Sequence, residues 1–212
     1  MRYKGIIFDL DGVICSTDEY HYQAWKTLAD RLGIPFDRER NNLLRGVSRM
    51  ESLHIVLEKG NRVYTEEEKA AFAEEKNTLY RRLLAQMSPT DLSDDVKGTL
   101  EALRKTDLKL AIGSSSKNTP FILERIGLGG FFDAVADGNC ITQSKPHPEV
   151  FLKAASLISL SPQDCLVVED AHAGVEAAVA GGFDCAAIGD AREDPRTSWH
   201  LDQFSDILKC LV

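Results

Sequence analysis

The chain has 212 residues, of which 43% are hydrophobic and 27% charged, and its formal net charge at pH 7 is −8. These values predict an ordinary globular protein with a substantial core. The acidic balance, without any basic block, argues against a nucleic-acid partner. No apolar run is long enough to span a bilayer and the N-terminus carries no targeting pattern, so we expect a cytoplasmic protein with no membrane partner. We also expect a monomer.

The five cysteines predict reduced thiols. They form no C-x-x-C pair, which argues against both a disulfide framework and a zinc site. Cys15 lies near the first pair of carboxylates in the chain. We interpret it as a small, semi-buried filler, since Asp9 already offers a nucleophile.

The first predicted strand, Gly5–Phe8, is followed by two carboxylates and a glycine. Its short apolar run is typical of a parallel strand buried on both faces. Asp9 and Asp11 are two residues apart and therefore point to the same side, where open α/β sheets bind ligands. A carboxylate is nucleophilic without an activating base, so we interpret Asp9 as a nucleophile toward phosphorus and Asp11 as its acid–base partner. Taken alone, the motif leaves open a calcium loop or a polar turn.

Residues from about 17 to 87 predict several amphipathic helices and no strand. The first helix stops at Gly33, and its apolar face carries His21, Ala24, Trp25, Leu28 and Leu32. Two later helices begin at the capping boxes Ser48-x-x-Glu51 and Thr65-x-x-Glu68. The second of these helices is expected to continue to about Gln86.

The second half of the chain alternates strands with helices. Four further strands are predicted at 108–113, 134–137, 166–169 and 183–189. This β-α-β pattern is typical of a parallel sheet. Ser114 and the pair Glu169 and Asp170 end two of these strands as Asp9 ends the first, so these polar groups are expected to meet at one rim. Asn118 is expected to cap the helix that follows it.

Four motifs occur in the order and spacing of a known superfamily. They are Asp9-x-Asp11-Gly12-Val13, Ser114, Lys145-Pro146 and Glu169-Asp170. Through them the chain resembles the phosphotransferases of the haloacid dehalogenase superfamily. Its similarity to the β-phosphoglucomutase family within that superfamily is carried by Thr17-Asp18-Glu19-Tyr20-His21, Ala24-Trp25, Arg45-Gly46-Val47-Ser48-Arg49, Ser116-Lys117-Asn118 and Ser144-Lys145-Pro146.

The resemblance implies an α/β fold in which a Rossmann-like parallel-sheet core carries an inserted all-helical cap domain. The core would comprise residues 1–16 and 88–212, and the cap residues 17–87, with hinges near Thr17 and 87–89. The implied reaction interconverts β-D-glucose 1-phosphate and glucose 6-phosphate through an aspartyl-phosphate and a 1,6-bisphosphate. The expected partners are therefore phosphorylated sugars.

The resemblance also implies a Mg²⁺ cofactor, which prefers oxygen ligands and offsets charge in phosphoryl transfer. The expected metal ligands are Asp9, Asp11 through its backbone carbonyl, Glu169 and Asp170. Lys145 and Ser114 would stabilise the transferring phosphoryl group, the first as a point charge and the second as a hydrogen-bond donor.

A second phosphate pocket is predicted around Arg49. This arginine lies in the first turn of a helix, where a cation opposes the helix dipole, and its planar fork suits phosphate. We interpret it as a clamp for the non-transferring phosphate; the alternative is an ordinary surface arginine. Ser116, Lys117 and Asn118 add donors at a helix N-terminus, where helix capping is the alternative.

The resemblance places His21 and Lys76 near the acid–base carboxylate, with Thr17 as the hinge residue beside them. The alternative for His21 is a core histidine whose hydrogen bonds are made within the protein. The alternative for Lys76 is a lysine whose alkyl stem passes an apolar stripe so that its charge reaches solvent. Trp25 and Gly46 belong to the family-like segments and are expected to contact substrate.

Two residues depart from the family pattern. Arg45 stands where lysine is usual, which changes hydrogen-bonding geometry and puts fine substrate preference in doubt. His147 replaces a commonly small residue and is assigned no role. The alternatives to a mutase are a sugar-phosphate phosphatase on the same fold, a non-catalytic phosphosugar-binding protein, and a phosphonate-cleaving relative that forms an imine through a lysine.

Overall fold

The computed structural model describes residues 2–211. Its centre is a six-stranded sheet, in which every neighbouring pair of strands is parallel. The strands are β1 (Gly5–Phe8), β2 (Lys109–Gly113), β3 (Ala134–Ala136), β4 (Cys165–Glu169), β5 (Asp184–Ala187) and β6 (Trp199–His200), in the order β3-β2-β1-β4-β5-β6. The predicted α/β fold with a parallel sheet is therefore confirmed.

Helices cover both faces of the sheet. The α-helices are α1 (Asp18–Arg31), α2 (Arg38–Asn42), α3 (Arg49–Leu57), α4 (Glu66–Leu84), α5 (Asp94–Arg104), α6 (Thr119–Arg125), α7 (Glu149–Leu157) and α8 (His172–Ala180). Side chains alternate across β1, so that Ile6 and Phe8 belong to one apolar core and Ile7 to the other. The continuous apolar sequence of β1 is thus explained by burial on both faces.

The sixth strand was not predicted. β6 has only two residues, Trp199 and His200, and pairs with β5 at the sheet edge. Such a short segment shows neither an apolar run nor a two-residue alternation, so the pattern that identifies strands is absent. The other strands lie within one or two residues of their predicted ends.

The helices α1–α4 form a block that follows β1 in the chain and has an apolar core of its own. Trp25, Leu28, Leu53 and Phe72 are among its buried side chains. Both predicted capping boxes are present at the starts of α3 and α4. α2 was not predicted, because five residues are too few to show a helical period. The domain boundaries at residues 17 and 87 stay a prediction.

Among the helices within residues 2–211, none is both long and apolar enough to cross a membrane.

Asp133, just before β3, forms hydrogen bonds to β2, and its carboxylate makes a contribution to stability that depends on pH. Its Oδ2 accepts hydrogen bonds from Leu110 N–H at 2.9 Å and from Arg104 at 2.8 Å. Burial acts to raise its pKa, but these donors and Lys109 outweigh burial and lower the pKa to about 2. The ionised carboxylate therefore stabilises the fold above its unfolded-state pKa of about 3.9, and this contribution is lost as pH falls toward 2.

We expect Asp133→Asn to lower the free energy of unfolding at pH 7, because it removes the negative charge that these donors stabilise. The loss should be only about 1 kcal/mol, since solvent screens this partly exposed group. The difference from the unaltered protein should shrink as the pH falls below about 4. Urea unfolding at a series of pH values measures both quantities. A difference that stays constant down to about pH 3 would contradict the assignment.

Candidate active site

A cavity of about 1320 Å³ lies between the carboxyl rim of the sheet and the helical block. β1, β2 and β4 are neighbours, so the residues that follow them meet at this rim. Asp9, Ser114 and Asp170 line the cavity from these three strands. The structure therefore brings together the polar groups that the sequence placed at separate strand ends.

Lys145 lies at the base of this site, where it is fully buried between two carboxylates. Its Nζ donates to Asp9 Oδ1 and, at 2.5 Å, to Glu169 Oε1. Burial alone disfavours the ammonium, but the two negative charges outweigh it and raise the pKa of Lys145. The lysine is therefore a fixed cation beside the predicted nucleophile.

Glu169 is not among the residues that line the cavity, and its role as a metal ligand stays a prediction. Its Oε1 accepts from Lys145, and its Oε2 accepts from the backbone N–H groups of Asp170 and Ala171 at 2.8 and 2.9 Å. Both carboxylate oxygens are thus engaged, and the side chain is fully buried. A Cβ on Gly174 would lie 1.8 Å from Glu169 Oε1, so the glycine leaves room for this arrangement.

Asp9 and Asp170 are close enough to repel each other. Burial raises the pKa of both carboxyl groups; the charge of Glu169 raises both further, and that of Asp9 adds to the rise in the pKa of Asp170. Gly12, with φ +98°, turns the chain between them, and a Cβ there would lie only 2.0 Å from Asp170 Oδ2. Such a pair of buried carboxylates is stabilised by a cation, which is the chemistry of a divalent metal site.

Asp11 is held by the segment that leads into α1. Thr17 Oγ1 donates a hydrogen bond to Asp11 Oδ1. Burial raises the pKa of Asp11, while the bond from Thr17 and the cations Lys145 and Lys76 oppose that rise. The carboxylate thus lies in the cavity beside Asp9, with its orientation fixed from the start of the helical block.

The partly buried His21 of α1 and the buried Lys76 of α4 form a pair on facing helices. Lys76 Nζ lies 3.0 Å from His21 Nδ1, 4.6 Å from the ring centroid of Trp25 and 4.3 Å from that of Tyr80. Burial lowers the pKa values of His21 and Lys76 well below their ordinary values, and the charge of Arg49 lowers both pKa values further. Lys76 is only 3% exposed, so the interpretation that its charge reaches solvent past the apolar stripe is wrong.

The same cavity is also lined by Arg49, Ser116, Lys117 and Asn118. Among the described residues 2–211, the one acidic partner of Arg49 is the distant Glu74, at 3.8 Å. Burial lowers its pKa, which indicates a guanidinium partly removed from water without a close counter-ion. An anion of suitable shape would therefore find strong donors here.

Asn118 does not cap α6, contrary to the sequence interpretation. No side-chain cap bond is present at this helix start; instead, Asn118 Nδ2 donates to Asn77 Oδ1 of α4 at 3.1 Å. Asn77 was not predicted as a site residue. The bond spans 41 positions of the chain, so no local pattern could have indicated it.

Two further polar contacts hold the helical block over the sheet. Arg45 donates to Asp190, which follows β5, and to Asp18 of α1 at 3.3 Å. Ser144, beside Lys145, donates to Glu51 of α3. Arg45 therefore contacts protein carboxylates, which gives the departure from lysine a structural role.

The remaining predicted contacts, Trp25 and Gly46, also line the cavity. Gly46 has φ +76°, and a Cβ there would meet Ala171 at 3.5 Å, so the loop passes close to the sheet rim. His147 lines the cavity too, but its Nδ1 accepts from Glu149 N–H at 3.2 Å and thereby supports the start of α7.

Residues 3–182 match the haloacid dehalogenase-like hydrolase family. This match covers most of the chain. The chain belongs to the haloacid dehalogenase-like hydrolase family.

Relatives within this family include isomerases and phosphatases. The chain is 40% identical to a β-phosphoglucomutase of Bacillus subtilis over 206 residues, covering 96% of this chain and 91% of the relative. It is 31% identical to the fructose-1-phosphate phosphatase YqaB of Escherichia coli, covering 88% and 97%. A crystal structure of β-phosphoglucomutase from Clostridium difficile superposes with a TM-score of 0.91 at 37% identity, covering 97% and 93%. The resemblance to the β-phosphoglucomutases is thus confirmed in sequence and structure.

Proposed function

We propose that the protein catalyses the reaction of the β-phosphoglucomutases, the interconversion of β-D-glucose 1-phosphate and glucose 6-phosphate through a 1,6-bisphosphate. One observation carries this proposal. A single cavity is lined both by Asp9 and by Arg49 with the segment that leads into α6. A bisphosphate needs two such anion sites, whereas a monophosphate needs one. The similarity to two β-phosphoglucomutases supports it.

The reaction divides between the two carboxylates. Asp9 attacks a phosphoryl group of the bisphosphate, forming an O–P bond to its own carboxylate while the bond from phosphorus to the sugar oxygen breaks. Asp11, in its protonated form, gives its proton to that sugar oxygen. In the second half, the product leaves and β-glucose 1-phosphate binds, and Asp11 takes a proton from its 6-hydroxyl as this hydroxyl attacks the aspartyl-phosphate. The nucleophile and Asp11 are then returned to their starting states.

Lys145 and Ser114 stabilise the transferring phosphoryl group. Lys145 already contacts Asp9, so its charge lies where phosphoryl oxygens approach the nucleophile. Ser114 Oγ accepts a hydrogen bond from Ser116 N–H at 3.2 Å, which leaves its proton free to donate. Such donors are most effective where charge increases in the transition state. Glu169 holds Lys145 in this position.

We further propose Mg²⁺ as the cofactor. Its ligands would be the Asp9 and Asp170 carboxylates and the Asp11 backbone carbonyl. Within the part of the chain that the structure describes, no three His, Cys, Asp or Glu side chains form a complete cation cage. Two carboxylates and one backbone carbonyl nevertheless fit Mg²⁺, which is usually bound through one or two carboxylates and keeps several waters. When bound, the ion supplies positive charge that offsets repulsion between the nucleophile and the phosphoryl oxygens.

The sugar must bind in two opposite orientations, because each of its phosphates takes a turn at Asp9. The second site, formed by Arg49, Ser116, Lys117 and Asn118, holds whichever phosphate is not transferring. Binding energy gained there positions the reacting end without touching it, which raises the rate of the chemical step.

The helical block excludes water from the aspartyl-phosphate. Two contacts, Arg45 to Asp190 and Ser144 to Glu51, join the block to the rim of the sheet. Thr17, acting on Asp11, becomes part of the same closed arrangement. Exclusion of water favours transfer to a sugar hydroxyl over hydrolysis. His21 and Lys76 border the sugar on the helical side, with Trp25 and the backbone at Gly46 beside them.

A sugar-phosphate phosphatase is the second candidate, favoured by the 31% identity to a fructose-1-phosphate phosphatase. Coupled assays separate the two. The protein is incubated with Mg²⁺, β-glucose 1-phosphate and a trace of the 1,6-bisphosphate, with glucose 6-phosphate dehydrogenase as the coupling enzyme. Phosphate release from fructose 1-phosphate is measured in parallel. Faster NADPH formation than phosphate release supports the mutase; the reverse supports the phosphatase.

Arg49→Ala separates the two phosphate sites. We expect it to reduce bisphosphate-dependent isomerisation by about 10²–10³-fold, since it removes a charged clamp that orients the substrate. Hydrolysis of a small ester such as p-nitrophenyl phosphate should fall by less than about threefold, because that ester has no second phosphate. Steady-state kinetics with both substrates measure the split.

The matched control is Arg82→Ala, which removes an exposed arginine of α4 outside the cavity. This variant should be unchanged in both assays. Equal losses with the two substrates in Arg49→Ala would show that Arg49 does not hold a second phosphate.

A further inference from the structure

Arg45 lies where the helical block meets the rim of the sheet. It follows α2 in the chain, is partly buried and borders the cavity. One nitrogen of its guanidinium donates to Asp190, which follows β5, and another donates to Asp18 Oδ2 at 3.3 Å. The planar fork of an arginine suits two acceptors at once. Arg45 thus contacts one carboxylate beside the sheet and one within the helical block.

The bond to Asp18 is internal to the helical block. Asp18 is the first residue of α1, and its other oxygen, Oδ1, accepts from Asn41 Nδ2 of α2 at 3.0 Å. Both oxygens of this carboxylate are therefore engaged by side chains of the same block. These bonds persist when the block moves as a unit, and they fix the direction in which Arg45 points.

The bond to Asp190 crosses from the block to the rim. Ala191 N–H donates to the backbone carbonyl of Asp170 at 2.9 Å, and a Cβ on Gly189 would lie 3.6 Å from Asp170 Cβ. Asp190 stands between these two residues in the chain, so its position is fixed next to Asp170. The bond that Arg45 donates to Asp190 must break when the block separates from the rim, whereas the bonds within the block need not.

Arg45 already has its counter-ions. Burial acts to lower its pKa, but the carboxylates of Asp18 and Asp190 outweigh burial and raise the pKa. Arg49 also borders the cavity, and there burial prevails and lowers the pKa. A substrate phosphate would have to displace a protein carboxylate to bind Arg45. The two arginines are therefore suited to different tasks, Arg49 to binding an anion and Arg45 to joining two parts of the protein.

We propose that Arg45 is a positioning residue whose bond to Asp190 latches the helical block to the rim and so determines whether a sugar hydroxyl or water accepts the phosphoryl group. This inference rests on the proposed function. When water is the acceptor, its oxygen bonds to phosphorus, the bond from phosphorus to Asp9 breaks, Asp11 takes a proton from the water, and inorganic phosphate leaves. A contact made only while block and rim are together favours that state, so its loss admits water more often.

Asp190→Ala tests the latch, because it removes the acceptor at an exposed position and leaves the bonds within the helical block in place. The reaction contains Mg²⁺, β-glucose 1-phosphate and a trace of the 1,6-bisphosphate. We expect inorganic phosphate released per glucose 6-phosphate formed to rise by about 3–10-fold, the size that a partly exposed ion pair allows. KM for β-glucose 1-phosphate should change by less than about twofold, since Arg45 does not bind the substrate.

Ionic strength gives an independent readout, because salt screens a partly exposed ion pair. Between about 0.05 and 0.5 M KCl, phosphate release per glucose 6-phosphate should rise in the unaltered protein and stay nearly constant in Asp190→Ala. A second variant, Arg45→Gln, should also raise this ratio. Combining it with Asp190→Ala should give no higher ratio than Arg45→Gln alone, since both changes remove one contact.

Asp202→Ala is the matched control. Asp202 is likewise an exposed aspartate that pairs with an arginine, Arg192, at 2.7 Å, but it lies outside the cavity. Its product ratio and salt response should equal those of the unaltered protein. An unchanged ratio in Asp190→Ala would overturn the inference. A change in KM without a change in the ratio would also overturn it, since Arg45 would then act on the substrate.

The proposed function fails separately, if the unaltered protein forms no glucose 6-phosphate. The inference then falls with it, because no sugar hydroxyl competes with water. Glucose 6-phosphate formed by the unaltered protein and by Asp190→Ala with equal phosphate release would instead overturn the latch alone.

Discussion

Asp9→Asn should abolish isomerisation, with a fall in kcat of about 10⁵-fold or more, as is typical when a nucleophile is removed. The amide has nearly the same shape as the carboxylate and can still accept a hydrogen bond from Lys145. It has no negative charge, however, and a neutral amide oxygen is a poor nucleophile toward phosphorus. The loss should therefore be chemical and not structural.

Two measurements separate these causes. Single-turnover mixing with labelled bisphosphate should give an acid-stable protein-bound label in the unaltered protein and none in Asp9→Asn. Thermal unfolding should show that the variant is folded. Asp107→Asn, at an exposed aspartate outside the cavity, is the matched control and should retain full activity. Substantial turnover by folded Asp9→Asn would remove Asp9 as the nucleophile.

Lys145→Met should impair stability and activity together. Lys145 is fully buried between Asp9 and Glu169, so its removal leaves two carboxylates close together without a cation. Breaking a buried charge pair by removing one partner typically costs about 3–5 kcal/mol. Loss of the cation beside the phosphoryl group should lower kcat by about 10³-fold as well. Urea unfolding and steady-state kinetics measure the two effects.

A double variant distinguishes the structural role of Lys145 from its chemical role. Adding Glu169→Gln to Lys145→Met removes one of the two unpaired charges, so much of the lost stability should return. Activity should not return, because the cation beside Asp9 is still missing. Recovery of activity along with stability would contradict a direct role of Lys145 in transfer, and full stability of Lys145→Met would contradict the burial argument.

The rim that carries the site could be predicted because it follows from strand order. Asp9, Ser114 and Asp170 each follow an apolar run, and parallel strands bring their carboxyl ends to one edge. The two capping boxes were equally predictable, since each is a local pattern of four residues whose bonds form within one turn. Local signals of this kind need no knowledge of the tertiary structure.

The orientation of individual polar groups could not be predicted in the same way. Hydrogen bonds between segments that are distant in the chain decide this orientation. Glu169 turns toward Lys145, 24 positions away, and Asn118 turns toward Asn77 instead of its own helix. No local pattern indicated that the buried hydroxyl of Tyr80 would lack a hydrogen-bond partner among the described residues. The partners of Arg45 depend on closure of the helical block over the sheet.

The central claim is that a phosphoryl group passes from Asp9 to a sugar hydroxyl and not to water. Phosphorus NMR tests it most directly, with the protein, Mg²⁺, β-glucose 1-phosphate and a trace of the 1,6-bisphosphate in one tube. We predict that the glucose 6-phosphate signal grows as the glucose 1-phosphate signal falls, with total sugar phosphate constant. Inorganic phosphate that rises in step with substrate loss would contradict the account.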